Sequence, residues 1–167
     1  YYGFIQSEIR TYYPIILKNC SDILDRRIKP TFLTFESAQY LVSTVIQAHR
    51  ERKGIFPGVA SFTDRISIDI TSNLVKAATS GISYKEIGNR LYNSLEIKDD
   101  IKRQIFRDAD NITAAYRNKC IELGVFDFAM AVELYNSCLL VDDFYREQLF
   151  KRVQHRIIDN LEECVPT

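Results

Sequence analysis

The chain has 167 residues, of which 46% are apolar and 26% charged, a balance that is typical of a globular domain and argues against disorder. Lysine plus arginine equals aspartate plus glutamate at 22 each, so the basic excess of a free-standing nucleic-acid-binding domain is missing. No stretch approaches the roughly 18 uninterrupted apolar residues of a membrane span, and no signal peptide opens the chain. We therefore expect a cytoplasmic protein with no membrane partner.

The first third of the chain predicts two helical segments. Apolar residues recur at helical spacing over residues 1–20, and Pro14 is expected to kink or split that helix. A basic loop then leads to Pro30. The next helix is predicted to start with Thr34 as its N-cap and to end at Gly54, where glycine and proline cluster.

The middle of the chain predicts a helix over residues 61–81, with Gly81 as its stop. Residues 66–70 also alternate like a strand, so the periodicity there is ambiguous. The sequence SYKE then has the form of a capping box, in which Ser83 bonds forward and Glu86 reaches back to open the next helix.

The last third contains the clearest helix, Asp99 to Leu123, whose apolar residues step by three or four. Gly124 is expected to end it, and Asp127 to cap a shorter helix that runs through Leu139. A final helix is predicted from about Asp142 to Arg152. The fold class is therefore all-α, a compact bundle of six to eight helices.

Residues 156–160, RIIDN, read as one short strand after these helices. A single strand needs a neighbour for its backbone groups, so this stub is either helical here or belongs to a sheet outside the chain. The chain also begins with Tyr1, and its single methionine is Met130. We interpret the chain as a piece of a longer protein.

The four cysteines show neither C-x-x-C spacing nor a nearby histidine pattern, so the sequence gives little support for zinc or for a disulfide framework. We expect free buried thiols instead. The cysteines are Cys20, Cys120, Cys138 and Cys164.

The order of elements in the second half resembles the UvrD/Rep-like superfamily 1 DNA helicases. A long helix is followed by Gly-x-x-Asp-Phe, Gly124 to Phe128, by a short apolar helix and by an Ile-Ile-Asp strand. In that family the helical insertion of the first motor domain ends in such a turn, and the chain returns to the core through the Walker B strand. Here the matching stretch is DNLEE, residues 159–163.

The start of the chain also resembles this family, at motif Ib. Tyr1, Tyr2 and Gly3 stand where the family commonly has Phe-His-Gly, and Arg10 stands at the basic position of the following helix. The resemblance implies that residues 1–153 form the helical insertion subdomain with its motif Ib-like start. Residues 154–167 would be the Walker B-like stub of the motor core.

The resemblance implies that this chain carries only part of an ATPase site. Asp159 matches the Walker B aspartate that helps to hold Mg²⁺, and Glu162 and Glu163 are further catalytic candidates, whereas Asn160 stands where the family has its catalytic glutamate. The chain contains no G-x-x-x-x-G-K-[ST] phosphate loop. We therefore expect Mg²⁺ and ATP in the parent protein, and no ATP hydrolysis by this chain alone.

DNA contacts are expected from the motif Ib-like residues and from two basic clusters. Tyr2 lies near single-stranded DNA by resemblance, and an aromatic ring there could stack on a base. The alternative interpretation of the basic clusters is solvated surface, or charge that complements a helix C-terminus. The DNA-binding candidates are Tyr2, Gly3, Arg10, Arg26, Arg27, Lys29, Arg50, Arg52 and Lys53.

Two functional interpretations follow. The first is a fragment of an ATP-dependent 3′ to 5′ DNA helicase that contacts single-stranded or forked DNA and the remaining motor domains. The alternative is an all-helical protein-interaction module, or a degenerate helicase relative without ATPase activity, which the zero net charge and Asn160 favour.

Overall fold

A computed structural model describes residues 2–20, 30–56, 59 and 63–155, and these residues form an all-α fold, as the sequence predicts. The residues of the predicted C-terminal stub from 156 onward lie outside this range. A 3₁₀ turn at Tyr84–Glu86 precedes the fifth helix, and a π-helical turn at Tyr135–Leu139 follows the seventh. The elements are α1 (Tyr2–Thr11), α2 (Tyr13–Asn19), β1 (Thr31–Phe32), α3 (Phe35–Lys53), α4 (Thr63–Thr79), α5 (Ile87–Asn93), α6 (Asp100–Leu123), β2 (Val125–Phe126), α7 (Phe128–Leu134) and α8 (Asp143–Arg152).

Pro14 splits the N-terminal helix in two. It lies in the first turn of α2, where its missing N–H leaves no helical hydrogen bond unmade. Tyr12 separates the two helices with φ −107° and ψ 22°. The predicted interruption is therefore a clean break into two helices.

Side-chain caps begin four of the helices, two of them at the predicted caps Thr34 and Asp127 and two at residues predicted only as helix starts. In each case a side-chain oxygen accepts a hydrogen bond from a backbone N–H of the first turn, which would otherwise lack a partner. The capping residues are Thr34, Asp99, Asp127 and Asp142.

Glycines in the left-handed conformation end the helices predicted to stop at them. Gly54 has φ +59°, Gly81 has φ +65° and Gly124 has φ +67°, a region that costs other residues a clash at Cβ. The N–H of Ile82 donates to the carbonyl of Ala77 across Gly81, which satisfies a terminal carbonyl of α4.

The reciprocal capping box at SYKE was a wrong prediction. The Ser83 hydroxyl accepts from the Lys85 N–H, one residue earlier than in a capping box, because this segment is a 3₁₀ turn. The Glu86 carboxylate does not reach back; it accepts from the Arg90 guanidinium one turn later, at 2.9 Å. Glu86 therefore supports the outer face of α5.

Helix α4 is helical through residues 66–70, where the sequence was ambiguous. Its buried polar residues are satisfied within the helix, since Ser67 donates to the Asp64 carbonyl at 2.8 Å and Thr71 to the Ser67 carbonyl at 2.9 Å. These bonds let a β-branched and hydroxyl-rich segment pack its face into the core.

The core lies between α3, α4, α6 and α7, with α5 packed on α6. Tyr116 of α6 is fully buried at its centre, and its hydroxyl donates to the Asp127 carboxylate at 2.7 Å. The largest fully buried side chains are Tyr116, Tyr145, Phe126, Ile5, Ile9, Ile16, Ile46, Leu74, Ile112, Leu139, Val42 and Val132.

Helix α1 packs against α7 and the π-helical turn, and α8 is tied to it by a buried carboxylate. The Arg152 guanidinium donates to both oxygens of Glu8, at 3.0 and 2.6 Å, and the Tyr145 hydroxyl donates to the same carboxylate at 2.8 Å. The first and last described helices are therefore joined through these side chains.

A short parallel ribbon, which the sequence did not predict, joins β1 to β2. Thr31 pairs with Val125 and Phe32 with Phe126, and the Leu33 N–H donates to the Phe126 carbonyl at 2.9 Å. The ribbon fixes the start of α3 beside the turn between α6 and α7.

The prediction of free thiols was wrong for two of the four cysteines. Cys20 and Cys138 form a disulfide with 6.6 Å between their Cα atoms, whereas Cys120 is free and buried as expected. A separation of 118 residues leaves no local pattern from which this pair could be read. Disulfides are typical of oxidising compartments, so the structure does not support the expected cytoplasmic location. Within the described ranges, no helix is long and apolar enough to cross a membrane.

Candidate nucleic-acid interface

Tyr2, the predicted stacking residue, packs within the protein. Its ring meets the edge of Phe128 with 4.9 Å between centroids and lies 6.4 Å from Phe32. Its hydroxyl donates to the Leu33 carbonyl at 3.4 Å, and burial raises the pKa of this phenol. The motif Ib-like start therefore contacts the Phe of the Gly-x-x-Asp-Phe turn.

Gly3 and Arg10 lie on the exposed side of α1. The Arg10 guanidinium is 4.9 Å from the centre of the Phe32 ring, which Tyr2 also contacts. A Cβ at Gly3 would meet nothing within 4 Å, so the backbone there is open to a large group. This face offers one oriented cation and an accessible backbone.

Asp127 is an N-cap, as the sequence favoured, and is not placed for acid catalysis. It is 5% exposed, and its carboxylate accepts from the Met130 N–H and from the Tyr116 hydroxyl, each at 2.7 Å. Burial is the largest cause that raises the pKa of Tyr116, and the Asp127 charge adds to it. Tyr116 therefore remains a neutral donor, and the pair holds the α6–α7 turn.

The basic cluster at the end of α3 is partly engaged in structure. One Arg50 nitrogen donates to the Thr63 hydroxyl at 3.0 Å, which links α3 to the start of α4. Nδ1 of His49 lies 2.9 Å from the Val45 carbonyl oxygen. Arg52 and Lys53 belong to the last turn of α3.

The remaining predicted site residues lie outside the described ranges. They comprise one basic cluster and the Walker B-like group, so their contacts and any metal geometry stay predictions. Among the residues that the structure describes, no group of three or more His, Cys, Asp or Glu could hold a metal ion. The residues outside the ranges are Arg26, Arg27, Lys29, Asp159, Glu162 and Glu163.

A polar groove between the end of α3 and the middle of α6 was not predicted. Its volume is about 700 Å³, and three amide side chains of α6 line it at intervals of seven residues: Gln104, Asn111 and Asn118. Seven residues are close to two helical turns, so the amides share one face. That spacing was visible in the sequence, whereas the opposing wall from α3 was not.

The Asp108 carboxylate sits at the inner wall of this groove and is satisfied there. One oxygen accepts from the Phe56 N–H and the other from Gln104, both at 2.8 Å. Asp108 is 5% exposed. It anchors the loop after α3, where Phe56 has the uncommon φ of +58°.

A second cavity, of about 310 Å³, lies between α4, α5 and α6 and is mostly apolar. Asp110 reaches its wall and accepts a hydrogen bond from the Gly88 N–H at 2.9 Å. Burial raises the pKa of Asp110, while that bond opposes the rise. No nucleophile and base are paired there among the described residues, so the cavity shows no catalytic arrangement.

Compared with protein-family models, with curated proteins and with solved structures, the chain matches none.

Proposed function

We propose that this chain is the DNA-contacting helical subdomain of a UvrD/Rep-like, ATP-dependent 3′ to 5′ DNA helicase. The contact between the rings of Tyr2 and Phe128 is the observation that carries this proposal. It joins the motif Ib-like start to the Gly-x-x-Asp-Phe turn, two of the segments on which the resemblance rests. A helical insertion must leave and re-enter its host core at neighbouring points, and this contact supports that geometry.

The ion pair between Glu8 of α1 and Arg152 of α8, called the clasp below, supports the same proposal independently. Arg152 of α8 and Glu8 of α1 form a two-bond ion pair, which joins the first described helix to the last. Two helices linked by such an ion pair at the base of an insertion would hold its orientation toward the motor core. Close chain ends are also common in free-standing domains, so the clasp alone would not define the class.

ATP hydrolysis, in this proposal, belongs to the parent protein. The phosphate loop is absent from the chain, so its described helices contact DNA and the absent parts bind nucleotide. Asp159 would hold Mg²⁺ through a carboxylate oxygen, and Glu162 and Glu163 lie close in sequence. Bound Mg²⁺ would neutralise charge on the transferred phosphoryl group.

A second candidate function, a protein-interaction module, is favoured by an exposed apolar surface. Tyr40 of α3 is 76% exposed and Leu123 of α6 is 54% exposed, and both line a shallow depression beside the β1–β2 ribbon. Exposed apolar surface of this kind often marks a partner contact. The remaining motor domains or an unrelated protein could cover it.

The test of the proposed function is binding of the whole chain to a fluorescently labelled forked DNA, followed by anisotropy at several salt concentrations. We expect affinity to fall as salt rises, because phosphate contacts release counterions. Arg10→Ala should weaken binding and reduce the slope of log affinity against log salt by about 1. No ATP turnover is expected.

The matched control is Arg146→Ala on α8, because the Arg146 guanidinium is already paired with Asp143 at 2.7 Å. It removes the same charge and should leave the slope unchanged. Absence of DNA binding, or affinity that is equal at low and moderate salt, would contradict the helicase proposal. Specific capture of a protein partner, lost in Tyr40→Ser, would then favour the interaction module.

A further inference from the structure

We infer that the amide-lined groove between α3 and α6 holds the sugar-phosphate backbone of one DNA strand, an inference that rests on the proposed function. The predicted DNA-binding residues of α1 lie elsewhere, around Phe32. The groove adds a contact surface that the resemblance to the helicases did not indicate.

The first argument is the hydrogen-bonding capacity of the groove. Asn111 and Asn118 are exposed, and within the described part of the chain neither amide has a hydrogen-bond partner. Amide N–H groups are common donors to phosphate and sugar oxygens, which receive half to two-thirds of all protein–DNA hydrogen bonds. With Gln104 they form a row about 20 Å long on α6, at 1.5 Å per residue.

The second argument is shape. Ala114 and Ala115 lie between the two asparagines and are both half-buried in the groove lining. Their small side chains leave room along α6 for a polymer backbone, where longer side chains would close the space.

The third argument is charge. Asp108 is the acid of the lining, and both of its oxygens are bonded inward, to Phe56 and Gln104. Residues at the end of α3, His49 among them, line the opposite wall, and none of the described ones adds negative charge. The apolar cavity between α4 and α5 instead carries the carboxylates Asp69 and Asp110, which would repel phosphate.

The experiment places two negative charges in the groove through Asn111→Asp combined with Asn118→Asp. Each new carboxylate should repel phosphate and weaken binding of labelled forked DNA by roughly fivefold at low salt. The control is Asn89→Asp combined with Asn93→Asp, which makes the same charge change at exposed positions of α5, outside the groove. Circular dichroism and the melting temperature of all variants verify folding.

The inference predicts a large loss for the groove variant and a loss of less than about twofold for the α5 control. Equal losses for both variants would reduce the effect to net charge and overturn the inference. If the groove variant binds like the wild type while Arg10→Ala still weakens binding, the groove is excluded and the helicase proposal stands. If the wild type binds no DNA, both fail.

Discussion

Glu8 is a carboxylate on the buried face of α1, and its neighbours determine its ionisation. Burial alone would raise the pKa of Glu8, but the hydrogen bonds from Arg152 and Tyr145 outweigh burial and lower it below 4.5. A carboxylate with a lowered pKa stabilises the fold at pH values above its unfolded pKa. That contribution is lost as the pH falls through the native pKa.

Glu8→Gln should therefore lower the free energy of unfolding at neutral pH by about 2 kcal/mol, less than for a fully buried pair because Arg152 is partly exposed. The difference between wild type and variant should shrink as the pH falls below about 4.5. Urea unfolding at a series of pH values measures it. A difference that is the same at every pH would contradict this account.

Glu133→Gln provides a control with the opposite sign. Burial is the largest cause acting on Glu133 and raises its pKa, although the Arg117 guanidinium opposes the rise. A raised pKa favours the protonated folded state, so wild-type stability relative to this variant should increase as the pH falls through the native pKa. As the pH falls, the stability difference between wild type and variant should therefore shrink for Glu8→Gln and grow for Glu133→Gln.

At the scale of the elements, Asp127 does more than cap α7. Asp99 caps α6 from an exposed position, whereas Asp127 is buried and also accepts from Tyr116. Asp99→Ala should cost about 1 kcal/mol of unfolding free energy, the usual value of an N-cap. Asp127→Ala should cost about 3 kcal/mol, because the Tyr116 hydroxyl is left buried without its acceptor.

Urea unfolding of the two variants measures this contrast. Adding Tyr116→Phe to Asp127→Ala removes the stranded hydroxyl and should recover part of the loss, which a double-mutant cycle quantifies. Equal costs for Asp99→Ala and Asp127→Ala would show that the bond to Tyr116 contributes no stability.

The helix boundaries were predictable because their causes are local. Thr34, Asp99 and Gly124 act on backbone groups within four residues, so the sequence around each position contains the whole interaction. The prediction of a capping box at SYKE failed because a 3₁₀ turn and the start of an α-helix favour the same residues. The pairing of β1 with β2 was not predicted because two-residue strands carry no periodic signal.

The candidate site was less predictable than the fold. Tyr2 and Arg10 were selected by resemblance, but their shared contact with Phe32 depends on tertiary packing. The seven-residue spacing of the amide side chains on α6 was visible in the sequence. Whether this row lines a groove depends on where α3 ends, and the sequence around Asn111 does not indicate that position.

At the scale of the whole molecule, the Cys20–Cys138 disulfide closes a loop of 118 residues. Such a cross-link restricts the unfolded chain, and in the chain-entropy model a loop of this length corresponds to about 5 kcal/mol of stability. A reducing agent should therefore lower the melting temperature of the wild type. The double variant Cys20→Ser, Cys138→Ser should melt at the lower temperature and show no response to the reductant.

Cys120→Ser is the control for this prediction. Burial raises the pKa of the Cys120 thiol to about 12, so this thiol is not expected to exchange with the disulfide. The variant should respond to the reductant as the wild type does. A wild-type melting temperature that is insensitive to reduction would contradict a stabilising role for the disulfide.

The clasp between Glu8 and Arg152 also determines when the protein can finish folding. During synthesis α1 leaves the ribosome before its partners α7, the π-helical turn and α8. Ile5, Ile9 and Ile16, all fully buried in the native protein, must wait for those helices. The nascent chain therefore carries an uncovered apolar face until those helices emerge, and this face is a natural substrate for a chaperone that holds unfolded segments.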